Sequence, residues 1–410
     1  MSKRFLAITL GILTAVGGFV DIGDLVESGV VGARYGMALL WVTVLGVIGI
    51  CAYAEMSGRI VAVTGRPVFD LIRERLGPRA ALANLVGSFL ITLLTVSAEI
   101  GGVALAIELG SGITRLAWVV PVGIAIWLVI WRVGFERMET AFGLAGLAIA
   151  VFVVAVFFLH PDWSALGAQV AKLGPPPDQA LPTFAYHAVA LFGSAMTPYE
   201  VFFFSSGGVE EGWSTKDLPV QRANVLLGFP LGGILAVGVM ACSAIVLFPA
   251  GVDVGHLSDV LLPVVLALGL AGAVIAIVGI FAATFGAALE TGLSSGYMLA
   301  QYFGWDWGKR RRPRQAGRFH LAVAAALLIG VLVVQTGIDP VGLTEVSLIF
   351  SAIALPLTYL PVLIVANDRE YLGKHANGHL SNVLGVIMLV VIAVAAVAAI
   401  PLMILTGAGQ

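Results

Sequence analysis

The sequence predicts an all-α polytopic membrane protein with eleven transmembrane helices, and three observations carry that expectation. Hydrophobic residues make up 59% of the 410 positions and charged residues only 11%. The mean hydropathy is +1.01. Charges gather in short segments between apolar runs of roughly 20 residues, the length that crosses a hydrocarbon core about 30 Å thick. The net charge of -2 leaves no basic surface for nucleic acid. A Gly-Lys-Ser/Thr phosphate loop, a nucleotide domain and a nucleophile motif are all absent from the sequence, which disfavours ATP-driven pumping and enzymatic hydrolysis. Cys51 and Cys242 sit inside apolar runs, where packing is the natural role and a disulfide framework is not expected.

The first run, 5–31, follows Lys3 and Arg4, lacks a small-residue cleavage motif and is expected to be retained. The second covers 36–57, the third 82–109 with Glu99 inside it, the fourth 114–131 up to Arg132, and the fifth 139–159. Pro175-Pro176-Pro177 then reads as an extended external connection. The sixth run, 182–206, contains Pro198, and the seventh covers 222–248. The eighth, 261–301, is too long for one perpendicular span, so its end near Gln301 is expected to tilt or to extend into the cytoplasm. Basic residues from Lys309 to Arg318 precede the ninth, 319–336; the tenth is 342–366 and the eleventh 381–405. With the N-terminus inside, all but Arg34, Arg115 and Lys172 of the 22 lysines and arginines lie on inward flanks and loops. That asymmetry predicts a cytoplasmic N-terminus and an external C-terminus.

Five spans followed by five more have opposite orientations, the condition for an inverted-topology repeat. One transporter domain over 1–410 is therefore expected, with a first repeat at 5–159, a second at 182–366 and an extra helix at 381–405. Asp21, Asp24 and Glu27 lie where hydrocarbon would be expected, and a carboxylate at the bilayer centre costs roughly 2.5 to 3.5 kcal/mol on insertion scales. Such residues persist when they face a polar path. Gly17, Gly18 and Gly23 weaken the helix around them, which predicts an interrupted helix carrying a cation site. In the sixth run, Pro198 removes a backbone bond and clashes with the preceding turn, predicting a second break. Two broken helices at matching places in two halves point to a midplane site.

The sequence resembles the Nramp (solute carrier 11) family of divalent-metal transporters over nearly its whole length. Stretches that carry the resemblance are Gly18-Phe19-Val20-Asp21-Ile22-Gly23-Asp24, Tyr35 to Trp41, Ala98-Glu99-Ile100-Gly101-Gly102 and Arg132 to Glu139. Pro198 with Ser205-Ser206 and Leu355-Pro356 with Pro361 complete the set. The resemblance implies a LeuT-like fold of five plus five helices with the first and sixth broken. It also implies metal ligands from Asp-Pro-Gly-Asn and Met-Pro-His motifs, which here become Asp21-Ile22-Gly23-Asp24 and Thr197-Pro198-Tyr199.

The family's amide thus becomes a second acid, and its thioether is lost. Carboxylates, hydroxyls, carbonyls and retained water suit hard Mg²⁺, Ca²⁺ and Mn²⁺, whereas a thioether favours softer metals. The chain therefore resembles the Nramp-related magnesium transporters most. Asp21, Asp24, Thr197 and Ser194 are the expected ligands, with Ser194 at a position that offers a backbone carbonyl in the family. Glu27, Glu99, Tyr199 and Glu200 are second-choice pathway residues: Glu27 as an outer-vestibule or interfacial acid near Arg34, Glu99 as a proton relay or a brace for the first helix, and Glu200 beside the break or facing cytoplasmic water. Met196 adjoins the lost sulfur position, about 100° away on a helix. Val96, Tyr199 and Phe204 replace titratable family residues, which predicts weak proton coupling or none.

The expected function is Mg²⁺ import, with Mn²⁺ also accepted, by alternating access in a prokaryotic plasma membrane. A proton-coupled Mn²⁺/Fe²⁺ carrier, or an amino-acid or amine carrier on the same broad fold, is the alternative. The expected partners are the cation and the bilayer, without cofactor, nucleotide or nucleic acid; nothing in the pattern specifies an oligomeric state.

Overall fold

The computed structural model describes residues 19–177 and 179–407, apart from the side chains at positions 135, 136 and 139. The start of the first expected span, with Lys3, Arg4, Gly17 and Gly18, lies outside the described residues. So do the side chains of three members of the Arg132 to Glu139 motif.

Every regular element among the described residues is helical. In chain order they are α1 (Ile22–Tyr35), α2 (Leu40–Thr64), α3 (Val68–Ser111), α4 (Arg115–Arg132), α5 (Phe135–Gly146), α6 (Ala150–Phe158), α7 (Trp163–Val170), α8 (Leu181–Ala195), α9 (Pro198–Glu211), α10 (Leu218–Ala250), α11 (Leu257–Phe303), α12 (Gly317–Gln335), α13 (Pro340–Ala366), α14 (Arg369–Leu372) and α15 (His379–Leu405). A 3₁₀ turn joins α5 to α6, so the fifth span is one nearly continuous rod. Among the described residues, ten helical stretches are long and apolar enough to cross a membrane, with α5 and α6 forming one and α8 and α9 another. They correspond to the second through eleventh expected spans.

Two boundaries differ from expectation for the same reason. The third span extends back to Val68 around a bend at Gly77 (φ 82°), and the eighth bends at Gly269 (φ 64°) instead of only near its cytoplasmic end. Glycine alone adopts such angles without a Cβ penalty, and in an apolar run it looks like any other small packing residue. α7 precedes the Pro175-Pro176-Pro177 run, which itself forms no helix or strand.

Of these ten stretches, the one broken between α8 and α9 is the innermost. In its most apolar stretch 94% of residues are buried by protein, against 28% for α4 and α15 at the periphery. α3 packs against α11 and α13, α10 against α1 and α2, and α15 covers α13. Prolines within α4, α10, α11, α13 and α15 are accommodated because neighbouring helices surround the freed backbone groups.

Candidate functional site

Asp21 is extended, at φ -107° and ψ -175°, and forms the N-cap of α1, with its Oδ1 accepting from Asp24 N at 3.0 Å. The cap supplies an acceptor to one of the four unpaired N–H groups at a helix start. Glu99 of α3 supplies another, accepting from Ile22 N at 3.2 Å. Gly23 is needed for space: a Cβ there would stand 2.8 Å from Leu348 Cδ2 and 2.9 Å from Asp21 Oδ1. The acid is thus fixed at a helix start by its own backbone bond and by a carboxylate 78 positions along the chain.

Opposite it, α8 ends at Ala195, Met196 leaves helical geometry (φ -131°, ψ 44°), Thr197 is extended, and Pro198 opens α9 at N1. A proline at N1 lacks only an N–H that would be unpaired anyway. Tyr359 of α13 donates its hydroxyl to Met196 O at 3.2 Å, holding the break from behind. Ser194 donates to Asp24 Oδ1 at 2.5 Å, and Tyr199 OH reaches Asp21 Oδ2 at 3.4 Å. The start of α1 and the α8–α9 break therefore meet through side chains from both.

A cleft at this meeting is lined by Asp21, Gly23, Thr197, Glu99, Thr95 and the α13 hydroxyls Thr344, Ser347 and Ser351, with Ile22, Ala98 and Leu348 completing the wall. Asp24 Oδ2 and Glu99 Oε2 are buried without a hydrogen-bond partner among the described residues. A buried polar atom of this kind is costly unless something donates to it or a cation neutralises it. Among the described residues no three His, Cys, Asp or Glu side chains surround one metal-sized point. A cation here would take its remaining ligands from hydroxyls, carbonyls and water.

The site residues expected from sequence separate into three groups. Asp21, Asp24, Ser194, Thr197, Tyr199 and Glu99 are brought together. Ser194 presents its hydroxyl to Asp24, where a backbone carbonyl was expected. Glu200 is 4% exposed and lies within electrostatic reach of Glu290, Asp21 and Asp24, so it does not face cytoplasmic water. Glu27 is fully buried, which corrects the interfacial alternative: its Oε1 lies 2.9 Å from His187 Nδ1. The Met196 sulfur turns away, since a Cβ on Gly49 of α2 would stand 2.6 Å from it and 3.4 Å from Met388 Sδ of α15. Val96 is buried, and Phe204 packs edge-on to Trp213 with ring centroids 5.1 Å apart, so neither place carries a titratable group.

Sequence reasoning missed His187 as the partner of Glu27, and Tyr359 and the α13 hydroxyls as neighbours of the break. Thr344, Ser347 and Ser351 are spaced i, i+3, i+7 on one helix face, a signal available in the sequence.

A family model described as natural resistance-associated macrophage protein-like matches residues 11–401. The chain is 25% identical over 384 residues to the divalent metal cation transporter MntH of Pectobacterium carotovorum, covering 91% of this chain and 89% of that one. It is 24% identical over 387 residues to MntH of Deinococcus radiodurans, covering 91% and 84%. The fold matches that of a manganese transporter from Eremococcus coleocola with a TM-score of 0.72 at 19% identity, over 97% of this chain and 86% of that one. MhsT, solved with L-phenylalanine, matches at a TM-score of 0.60 and 17% identity, over 96% and 97%. The LeuT-like architecture is thus shared with proteins whose ligands differ widely, and the fold alone does not choose the cargo.

Proposed function

Because the chain belongs to the Nramp family, we propose that it is an integral-membrane carrier of divalent metal cations, binding its cargo between the start of α1 and the α8–α9 break. Asp21 and Asp24 supply the charge, Thr197 an oxygen at the break, and Ser194 orients Asp24. The observation that carries this reading is the pair of buried aspartates at the start of α1, facing the α8–α9 break, one with an oxygen left without a partner among the described residues. Two carboxylates balance a dication. An amino acid needs a counter-charge for its amine and another for its carboxylate, and among the described residues no lysine or arginine lines the cleft.

Mg²⁺ is the preferred cargo on ligand chemistry, with Mn²⁺ also carried. Thr197 lines the cleft, while the Met196 thioether lies against α2. Hard oxygen ligands and retained water fit Mg²⁺, which dehydrates reluctantly. A Mn²⁺/Fe²⁺ carrier with proton coupling is the second reading, favoured by relatives named for divalent metal and manganese transport. The two halves, 5–159 and 182–366, form the inverted repeat that rocks between inward and outward access, with the N-terminus cytoplasmic, the C-terminus external and the protein in a prokaryotic plasma membrane.

Uptake is driven by the metal gradient and by voltage, which contributes about 4.6 kcal/mol for a dication at 100 mV. Glu99 braces Ile22, and Val96 and Phe204 add no protonatable group to continue a path from it. The test is uptake into proteoliposomes with Mg²⁺, Mn²⁺, Fe²⁺, Ca²⁺ and amino acids as competitors, with internal pH recorded under a voltage clamp. Saturable Mg²⁺ influx without stoichiometric acidification is the expected result. Acidification abolished by Asp21→Ala would favour the proton-coupled reading, and amino-acid uptake without metal uptake would overturn both.

A further inference from the structure

Above the aspartates, α1 and α8 run antiparallel along a seam of matched contacts. It begins with Asp24 and Ser194 at the breaks, continues with Glu27 and His187, and ends where Tyr35 packs edge-on to Phe184 with centroids 5.2 Å apart. Near the outer end Arg34 Nη1 lies 3.3 Å from His187 Nε2, and Arg34 Nε donates to Asp253 Oδ1 at 3.2 Å in the connection between α10 and α11. Four side chains from three parts of the fold are therefore tied in one row, Glu27–His187–Arg34–Asp253.

Donor counting fixes the state of the histidine. A guanidinium only donates, so Nε2 must accept, and the ring proton must be on Nδ1, where it is donated to Glu27 Oε1. His187 is thus neutral in this arrangement and turns its two nitrogens into a bridge between a buried acid and an outer cation. We propose that this row is the outer latch of the transport path, closed as it stands, and that His187 is the positioning residue that holds Arg34 across the α1–α8 seam.

The location supports the assignment, because the row lies between Asp24 and the outer ends of α1 and α8 and ties the two helices together there. Arg34 is 24% and Asp253 69% exposed in their side chains, so the terminal ion pair is the part that solvent and salt can loosen. Glu27 Oε2 is buried without a partner among the described residues. When Arg34 leaves, Glu27 loses the charge that offset it through His187, and a cation arriving from outside finds an acid one turn above Asp24. Closing the latch withdraws that attraction. The inference rests on the proposed transport path and outward orientation of α1 and α8, not on which cation is carried.

The same wiring predicts a response to external acid. The groups that face His187 are Glu27, Arg34 and Tyr35 from α1, Tyr186 on α8 itself and Glu345 from α13, with Asp253 beyond Arg34. α2, which also packs on α8, meets it with Gly46 against Ala195 and Phe192. A proton on Nε2 removes the acceptor for Arg34 and sets two cations side by side, so acid should open the latch.

The experiment reads access instead of transport. Ala190 shares a helix face with His187 and Ser194, at i+3 and i−4, and is buried. Ala190→Cys in reconstituted full-length protein is treated with a membrane-impermeant thiol reagent without metal, with the protein lacking that substitution giving the background from buried Cys51 and Cys242. Asp253→Asn and Arg34→Gln should each speed labelling, by up to about fivefold, the range that an exposed ion pair can hold back. His187→Ala should do the same. His187→Gln, whose amide can accept from Arg34 and donate to Glu27, should keep labelling slow and abolish its acceleration by external acid. Equal labelling in His187→Gln and His187→Ala, or no change in Asp253→Asn and Arg34→Gln, would overturn the latch. Should Ala190→Cys fail to fold, Val31→Cys on the facing helix replaces it. Failure of the metal reading would appear in cation binding, which this readout does not use.

Discussion

The start of α1 and the α8–α9 break, which face each other at the site, are built differently. The start of α1 is charged: Asp21 caps the helix, Asp24 sits in its first turn, and Glu99 secures Ile22 N from another helix. Before α9 the unwound residues Met196 and Thr197 are neutral, with Met196 O held by Tyr359 and Pro198 setting the helix start, while Ser194 lends its hydroxyl to the acid across the gap; the acid Glu200 follows only in the first turn of α9. The start of α1 brings its acid to the cleft wall, and the α8–α9 break brings the scaffold. A proline break needs no charge to be stable, whereas an interrupted helix with two acids needs external braces to keep them in place. Removing a charge and removing a brace should therefore produce separable effects.

The largest effect is expected at Asp21. Asp21→Ala should abolish divalent uptake and also lose the helix cap, an additional cost of about 0.5–2 kcal/mol in stability. Asp21→Asn separates the two, because asparagine caps a helix as well as aspartate does. It should unfold near the wild-type temperature in a thermal melt yet carry no metal in a radiotracer assay. If Asp21→Asn transported normally, the division between charged and scaffolding breaks would fail.

Asp24→Asn should be milder. The amide oxygen can still accept from Ser194, so the seam holds while one unit of negative charge is lost. Mg²⁺ uptake should fall more than Mn²⁺ uptake, measured as a change in their competition ratio. Thr197→Met changes the neutral break instead, placing a thioether on the residue that lines the cleft. Cd²⁺ or Mn²⁺ should gain on Mg²⁺ in the same assay, and an unchanged ratio would indicate that this position does not meet the cation.

The smallest effects are expected at the braces. Glu99→Gln keeps an acceptor for Ile22 N and should retain uptake, while Glu99→Ala leaves that buried N–H without a partner, costing about 1–3 kcal/mol in stability. Tyr359→Phe removes one hydrogen bond to Met196 O and should cost about 1 kcal/mol. Both are read by thermal melts beside initial uptake rates. Loss of transport in a stable Glu99→Gln protein would give Glu99 a protonation role that a brace does not have.

What could be read from the sequence follows from cost. Acids in an apolar run and a proline inside a span are expensive, so Asp21, Asp24 and Pro198 stood out, and the apolar runs themselves marked the second through eleventh spans. Inexpensive features did not stand out. Gly77 and Gly269 bend long helices but look like packing residues, and Glu27 gives no sign in its own neighbourhood that its partner is His187, 160 positions away. The hydroxyls of α13 showed a helical spacing, yet only the tertiary packing of α13 on α3 and α1 turns that face toward Asp21.

The central claim, that the charged break binds the cargo and the neutral break shapes its coordination, is tested most directly by calorimetric titration of Mg²⁺ and Mn²⁺ into the purified protein and its Asp21→Asn variant. The wild type should bind both ions at one saturable site, and the variant should bind neither while melting at the same temperature. Binding of equal affinity and stoichiometry in the two proteins would place the cation elsewhere and contradict the assignment.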